Sequence, residues 1–133
     1  MIDFIAHLTR QAAASRGFFG PGPRTKGIIQ HIKKELVEVE KVYEGYEERG
    51  VPNNLFDTHM KAAREWTDVA ILGIDGQLRA IAAAHPDETF DQIALRAVDM
   101  IVGKQGKNEL RDWPDWRSSP SDAAIEHVRG KHD

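Results

Sequence analysis

Between Leu55 and Ala84, small and apolar residues return every three or four positions, at Met60, Ala63, Thr67, Ala70, Ile74, Leu78 and Ile81, and no proline interrupts the run. That period is the helical one, since residues three and four apart share a face. It predicts one long helix, about 45 Å from end to end at ~1.5 Å per residue. Such a helix cannot bury its stripe alone and needs other helices laid along it. Gly73 and Gly76 weaken it locally and permit a close helix approach.

The flanking segments carry the same period. Residues 2–15 read as a short helix with Ile2, Ile5 and Leu8 on one face, ended by Gly17. GFFGPGPRTKG, residues 17–27, holds glycines and prolines too closely spaced for regular structure and reads as a loop. Thr25 is the expected N-cap of a helix reaching about Tyr46, with Ile28, Ile32, Leu36 (or Glu35) and Val39 at helical spacing. ERGVPNN then turns the chain. After the long helix, Pro86 is expected to start another, with Asp87 and Glu88 near its positive end and Ile93, Ala97, Met100 and Ile101 on its buried face. DWPDWRSSP ends the regular pattern, and SDAAIEHVRG reads as a last short helix or tail. No strand, internal repeat or low-complexity linker is legible. The expectation is one all-α domain spanning residues 1–133, built from antiparallel helices.

Composition narrows the function classes. Cysteine is absent, so disulfides and thiolate sites are excluded. A formal net charge of −3 offers no broad basic field for nucleic acid. No apolar run approaches the roughly 18 residues of a spanning helix, and the N-terminal residues, with Asp3 and a broken apolar pattern, resemble neither a secretory signal nor an anchor. A soluble, cytoplasmic protein with no membrane partner is expected.

The chemistry is concentrated in two acid pairs, Glu35/Glu38 and Glu65/Asp68. Residues i and i+3 share a helix face, so each pair aims two carboxylates the same way, and antiparallel helices would bring four together. An all-oxygen site without Cys or His suits Mg²⁺ or Mn²⁺. A single Glu-x-x-Glu is more often a solvated face. Both pairs here border the predicted core, where like charges are unfavourable unless a cation or an ion-pair partner neutralises them. A metal site and ion pairing to Lys33, Lys34 or Arg64 are the two readings left open.

Further along, Lys104, Lys107, Asn108 and Arg111 fall at i, i+3, i+4 and i+7, one cationic stripe if the helix continues. Such a stripe suits phosphate, Arg through a planar fork and Lys as a point charge; the competing reading is a basic helix C-terminus meeting the macrodipole. GFFGPGPRTKG fails as a P-loop, because Ile28 and Ile29 stand where Lys and Ser/Thr must be and no strand precedes it. Phe18, Phe19, Arg24 and Lys26 either shape a site entrance or base pocket, or the phenylalanines plug the core. His31, one turn before Glu35, is either a support for a ligand or a surface histidine. Asp75, two turns beyond Asp68, either extends the acidic stripe or, the favoured reading, is a surface acid; Trp66, Trp113 and Trp116 read as packing residues, with Trp113 or Trp116 stacking on a purine as the alternative.

Taken in order, Glu35-x-x-Glu38, 26 intervening residues, Glu65-x-x-Asp68, then Lys107-Asn108-x-x-Arg111 with Trp113-Pro114 resembles the all-α nucleoside triphosphate pyrophosphatases of the MazG type. FGPGPRTKG before the first acid pair, and WPDWR followed by AIEHVR, look like their phage and bacterial dATP/dGTP diphosphohydrolase subgroup, MazZ. The chain departs from many members at Lys34, where they carry a glutamate before the Glu35 position. The resemblance implies that Glu35, Glu38, Glu65 and Asp68 hold two or more Mg²⁺ or Mn²⁺ ions. It further implies that Lys104, Lys107, Asn108 and Arg111 bind the triphosphate of a purine deoxynucleotide, and that the α–β bond is hydrolysed to the monophosphate and pyrophosphate. It implies too a bundle completed by pairing of subunits, as a homodimer or a homotetramer made of dimers, and for a phage-encoded protein the host cytoplasm. A di-iron helical bundle is a weaker alternative, since such sites use Glu-x-x-His. A non-catalytic helical assembly module is a third.

Overall fold

The computed structural model describes residues 3–44, 46, 50, 51 and 53–129. Their elements are α1 (Phe4–Phe19), α2 (Thr25–Tyr43), α3 (Leu55–Ala84), α4 (Phe90–Leu110) and a 3₁₀ turn at Trp116–Ser118. The fold is therefore all-α; among the described residues the one strand-like feature is an isolated antiparallel bridge between Asp112 and Val128. No described helix is long and apolar enough to cross a membrane. Ile2, and Glu48, Arg49 and Pro52 of the expected turn, lie outside the described residues. The chain forms two compact units, Met1–Ala97 and Val98–Asp133.

In the first unit α3 is the spine. Ile28 meets Gly76, where a Cβ added to the glycine would sit 3.9 Å from Ile28 Cγ2, while Tyr43 Oη and His59 Nδ1 lie 2.8 Å apart. The start of α2 thus faces the late part of α3 and its end the early part, an antiparallel pair. α1 runs with α3 in the same sense: Gln11 Nε2 donates to Ile71 O at 2.8 Å, and Ser15 Oγ accepts from Arg79 at 2.7 Å. The core is made largely of small or slender side chains, Leu8, Ala12, Ala62, Leu78, Ile93, Ala94 and Ala97 among them. Burial of such chains contributes about 25 cal/mol per Å² of apolar surface removed from water.

Several boundaries differ from the sequence expectation, each for a local reason. α1 passes through Gly17, an open position, and ends at Gly20, whose φ of 83° suits glycine alone. Asp3 starts it, its Oδ1 accepting from Ile5 N at 3.0 Å and Ala6 N at 3.3 Å. Thr25 is the first residue of α2 rather than its cap; Arg24 precedes it with a left-handed φ of 49°. α4 begins not at Pro86 but at Phe90, because Thr89 and Gln92 form a reciprocal capping box, Gln92 N donating to Thr89 Oγ1 at 3.3 Å and Thr89 N to Gln92 Oε1 at 2.9 Å. On α4 Ile93, Ala94 and Ala97, in the first unit, are buried, whereas Met100 and Ile101, in the second, are exposed. Residues 119–129 form no helix.

Asp75 corrects another expectation. Far from being a surface acid, it is buried and accepts from Arg79 Nε at 3.1 Å. Arg79 then donates to Gly20 O (2.9 Å) and Gly22 O (2.7 Å) through Nη1, and to Ser15 O (3.2 Å) and Ser15 Oγ (2.7 Å) through Nη2. Every N–H of the guanidinium is satisfied, and the glycine-proline loop is tied to the last turns of α3.

Candidate metal centre

Ile28, Ile32, Glu35 and Val39 follow one another at four, three and four residues, so the stripe that α2 turns toward α3 contains Glu35; Leu36 is exposed instead. On α3 the inward stripe runs Ala62, Glu65, Val69, Leu72, with Glu65 in the corresponding place. Both glutamates are half-buried, in positions where an aliphatic side chain would pack. The antiparallel register brings these two positions to the same level of the seam. Glu35, Glu65 and the exposed Asp68 each offer one carboxylate oxygen, all within 4.8 Å of one another.

The donor set fits a hard divalent cation. A Mg²⁺-type octahedron with metal–oxygen distances of ~2.1 Å separates its ligands by about 3 Å (cis) to about 4.2 Å (trans), which small side-chain rotations reach from the observed spacing. The alternative of ion pairing is not what the side chains do: among the described residues Lys33, Lys34 and Arg64 make no ion pair with these acids. What does approach is His31, whose Nε2 lies 3.4 Å from Glu35 Oε1. The edge of the Phe19 ring rests on that imidazole with centroids 6.5 Å apart, and the Arg24 guanidinium lies 5.3 Å from the Phe19 centroid. His31 is thus packed between Glu35 and Phe19, the last residue of α1, whose ring also meets Arg24.

Glu38 stands apart from the trio. Its Oε1 is 3.8 Å from Lys41 Nζ in an exposed pair, of a kind that contributes at most about 1 kcal/mol. The core-plug reading of the phenylalanines does not hold, for Phe18 is 78% exposed and Phe19 44%. Nor are the tryptophans core: Trp66 is exposed on α3, and so are Trp113 and Trp116.

The cationic constellation belongs to the second unit. Lys104, Lys107 and Asn108 occupy the last turns of α4, and Arg111 follows its final residue. Asn108 organises this end: its Oδ1 accepts from Arg111 Nη1 at 2.7 Å and its carbonyl accepts from Trp113 Nε1 at 2.8 Å. Trp113 meets His127 edge-on, and Val128 N donates to Asp112 O at 2.6 Å, fastening the tail. Lys104 and Lys107 are exposed.

Sequence reading missed the Asp75–Arg79 pair. Its signal was present, an acid and a base at i and i+4 between the inward residues Leu72, Leu78 and Ala82. No protein-family model, curated protein or solved structure matches the chain.

Proposed function

We propose that the chain is a metal-dependent nucleoside triphosphate pyrophosphohydrolase of the MazG-like kind, acting on purine deoxynucleoside triphosphates, dGTP or dATP. The observation that carries the reading is the trio Glu35, Glu65 and Asp68, whose oxygens from two packed helices come within 4.8 Å of one another, with no Lys or Arg ion-paired to them among the described residues. Carboxylates are otherwise a poor choice for the inner stripe of two helices.

In this reading the trio holds Mg²⁺ or Mn²⁺, with Glu38, one turn along, as a further ligand once it leaves Lys41. The cation supplies Lewis acidity toward phosphate oxygens and toward a water. His31 positions Glu35, restricting its rotation and presenting its second oxygen to the site. Lys104, Lys107 and Arg111 neutralise phosphate charge, and Asn108 hydrogen-bonds at phosphate or sugar. Water adds at phosphorus, the α–β bridging bond breaks, and monophosphate and pyrophosphate leave. The outward stripe of α3, with Met60, Ala63, Thr67, Ala70 and Ile71 exposed, supports a bundle completed by a second copy, as a homodimer or a dimer of dimers.

The test is a panel of the eight common ribo- and deoxyribonucleoside triphosphates with Mg²⁺ or Mn²⁺, products separated by chromatography. Pyrophosphate release greatest with dGTP or dATP is expected. Glu65→Gln and Asp68→Asn should each lower turnover about 100-fold or more, beyond the usual effect of residues that only support a ligand, with unchanged helical circular dichroism. Full turnover in both variants, or no pyrophosphate from any of the eight, refutes the assignment.

A further inference from the structure

A second concavity lies within the first unit, away from the acids. It is a cleft of about 250 Å³ whose lining includes Arg16, Pro23, Ala83, His85, Pro86 and Phe90. Measured along α3 it is roughly 20 Å from Asp68, at ~1.5 Å per residue, so a ligand seated there is not one held by the trio.

Charge in the cleft is unbalanced. Arg79 also lines it, but all its N–H groups are engaged by Asp75, Ser15, Gly20 and Gly22. Glu88 faces Arg96, which grips both its oxygens at 2.6 to 3.0 Å. This hydrogen bonding keeps the Glu88 carboxyl below its ordinary range, so it is ionised and already matched near neutrality. Arg16 has no such partner among the described residues; its guanidinium stacks 5.4 Å from the Phe90 centroid, which leaves its N–H edge for another group. His85 Nδ1 lies 3.7 Å from Glu88 Oε1, and its other ring nitrogen is a second potential donor. The wall is rigid as well, because Arg79 fixes the loop bearing Gly22 and Pro23.

We propose that this cleft binds a small organic phosphate, its phosphate on Arg16 and His85 and its apolar part against Pro23, Ala83 and Pro86. The planar Arg fork suits phosphate oxygens, a phosphate monoester carries close to two negative charges, and the volume falls below the 300–1,000 Å³ typical of larger ligands. The proposal stands independently of the metal centre.

The test uses the full chain in chelator at constant ionic strength, with thermal unfolding followed by circular dichroism against inorganic phosphate, phenyl phosphate and benzoate. Phenyl phosphate should raise the midpoint saturably and more than inorganic phosphate, as a ligand of the native state does. Arg16→Gln should abolish the shift, whereas Glu65→Gln should keep it. No shift with either phosphate, or the same shift in Arg16→Gln, overturns the site; an equal shift with benzoate overturns the phosphate assignment. If Arg16→Gln fails to fold, amide shifts of the native chain decide the matter: phenyl phosphate must move Ala83, His85 and Phe90, and changes confined elsewhere overturn the proposal.

Discussion

Arg79 illustrates how far one side chain's setting can depend on distant sequence. Ser15, Gly20 and Gly22, which accept its hydrogen bonds, are some sixty residues away in the chain, so the local pattern around Asp75 carries only half of the signal for its burial. The i,i+4 acid–base spacing is legible; the partners that make burial tolerable are not. Removing the cation leaves Asp75 charged in the interior and strips four oxygens of Ser15, Gly20 and Gly22 of their donor. Arg79→Met should therefore cost about 3–5 kcal/mol by denaturant unfolding, and adding Asp75→Leu should restore part of that loss. Equal stability of Arg79→Met and the native chain would show that the pair is not a keystone of the loop. Glu35 presents the reverse case, since the spacing left Leu36 and Glu35 as alternatives for the inner stripe and only the rotation of α2 against α3 decides between them.

At the scale of elements, α3 was legible from end to end because its stripe is long and no proline intrudes; Asn54 caps it, its Oδ1 accepting from Asp57 N at 3.1 Å. Shorter helices were less so. Proline is a frequent helix starter, yet the Thr89–Gln92 capping box beginning three residues after Pro86 supplies partners for otherwise orphaned N–H groups and sets the start of α4. Thr89→Ala should destabilise the native state by about 1 kcal/mol, read from the denaturation midpoint, while Thr89→Ser should cost less. Met100 and Ile101 misled because periodicity reports which face could be buried, not where the covering surface ends. Likewise the acid spacing could be read as two pairs, but it did not reveal that Glu38 turns to Lys41 while Asp68 joins Glu35 and Glu65.

For the molecule as a whole, composition and patterning made the all-α class legible, whereas the division at Ala97 depends on three-dimensional proximity that one-dimensional periodicity does not encode. The outer face of α3 is the largest consequence of that architecture. Ile71 is 43% exposed on it, as is Met60, and the proposed self-association would cover them. Sedimentation of the native chain should give a dimer or larger, and Met60→Glu with Ile71→Glu should shift it toward monomer without lowering helical content, because charge at the centre of an apolar contact is costly. A monomer at all concentrations would remove that part of the reading.

The methyl-lined face of α4 formed by Ala94 and Ala97, both 0% exposed, has a consequence of its own. Alanine has no side-chain torsion to freeze, so order there is reached at the expense of backbone freedom alone. By the same token this stretch has no second rotameric arrangement to switch into, and any larger residue must push whole helices apart rather than find a new pose between them.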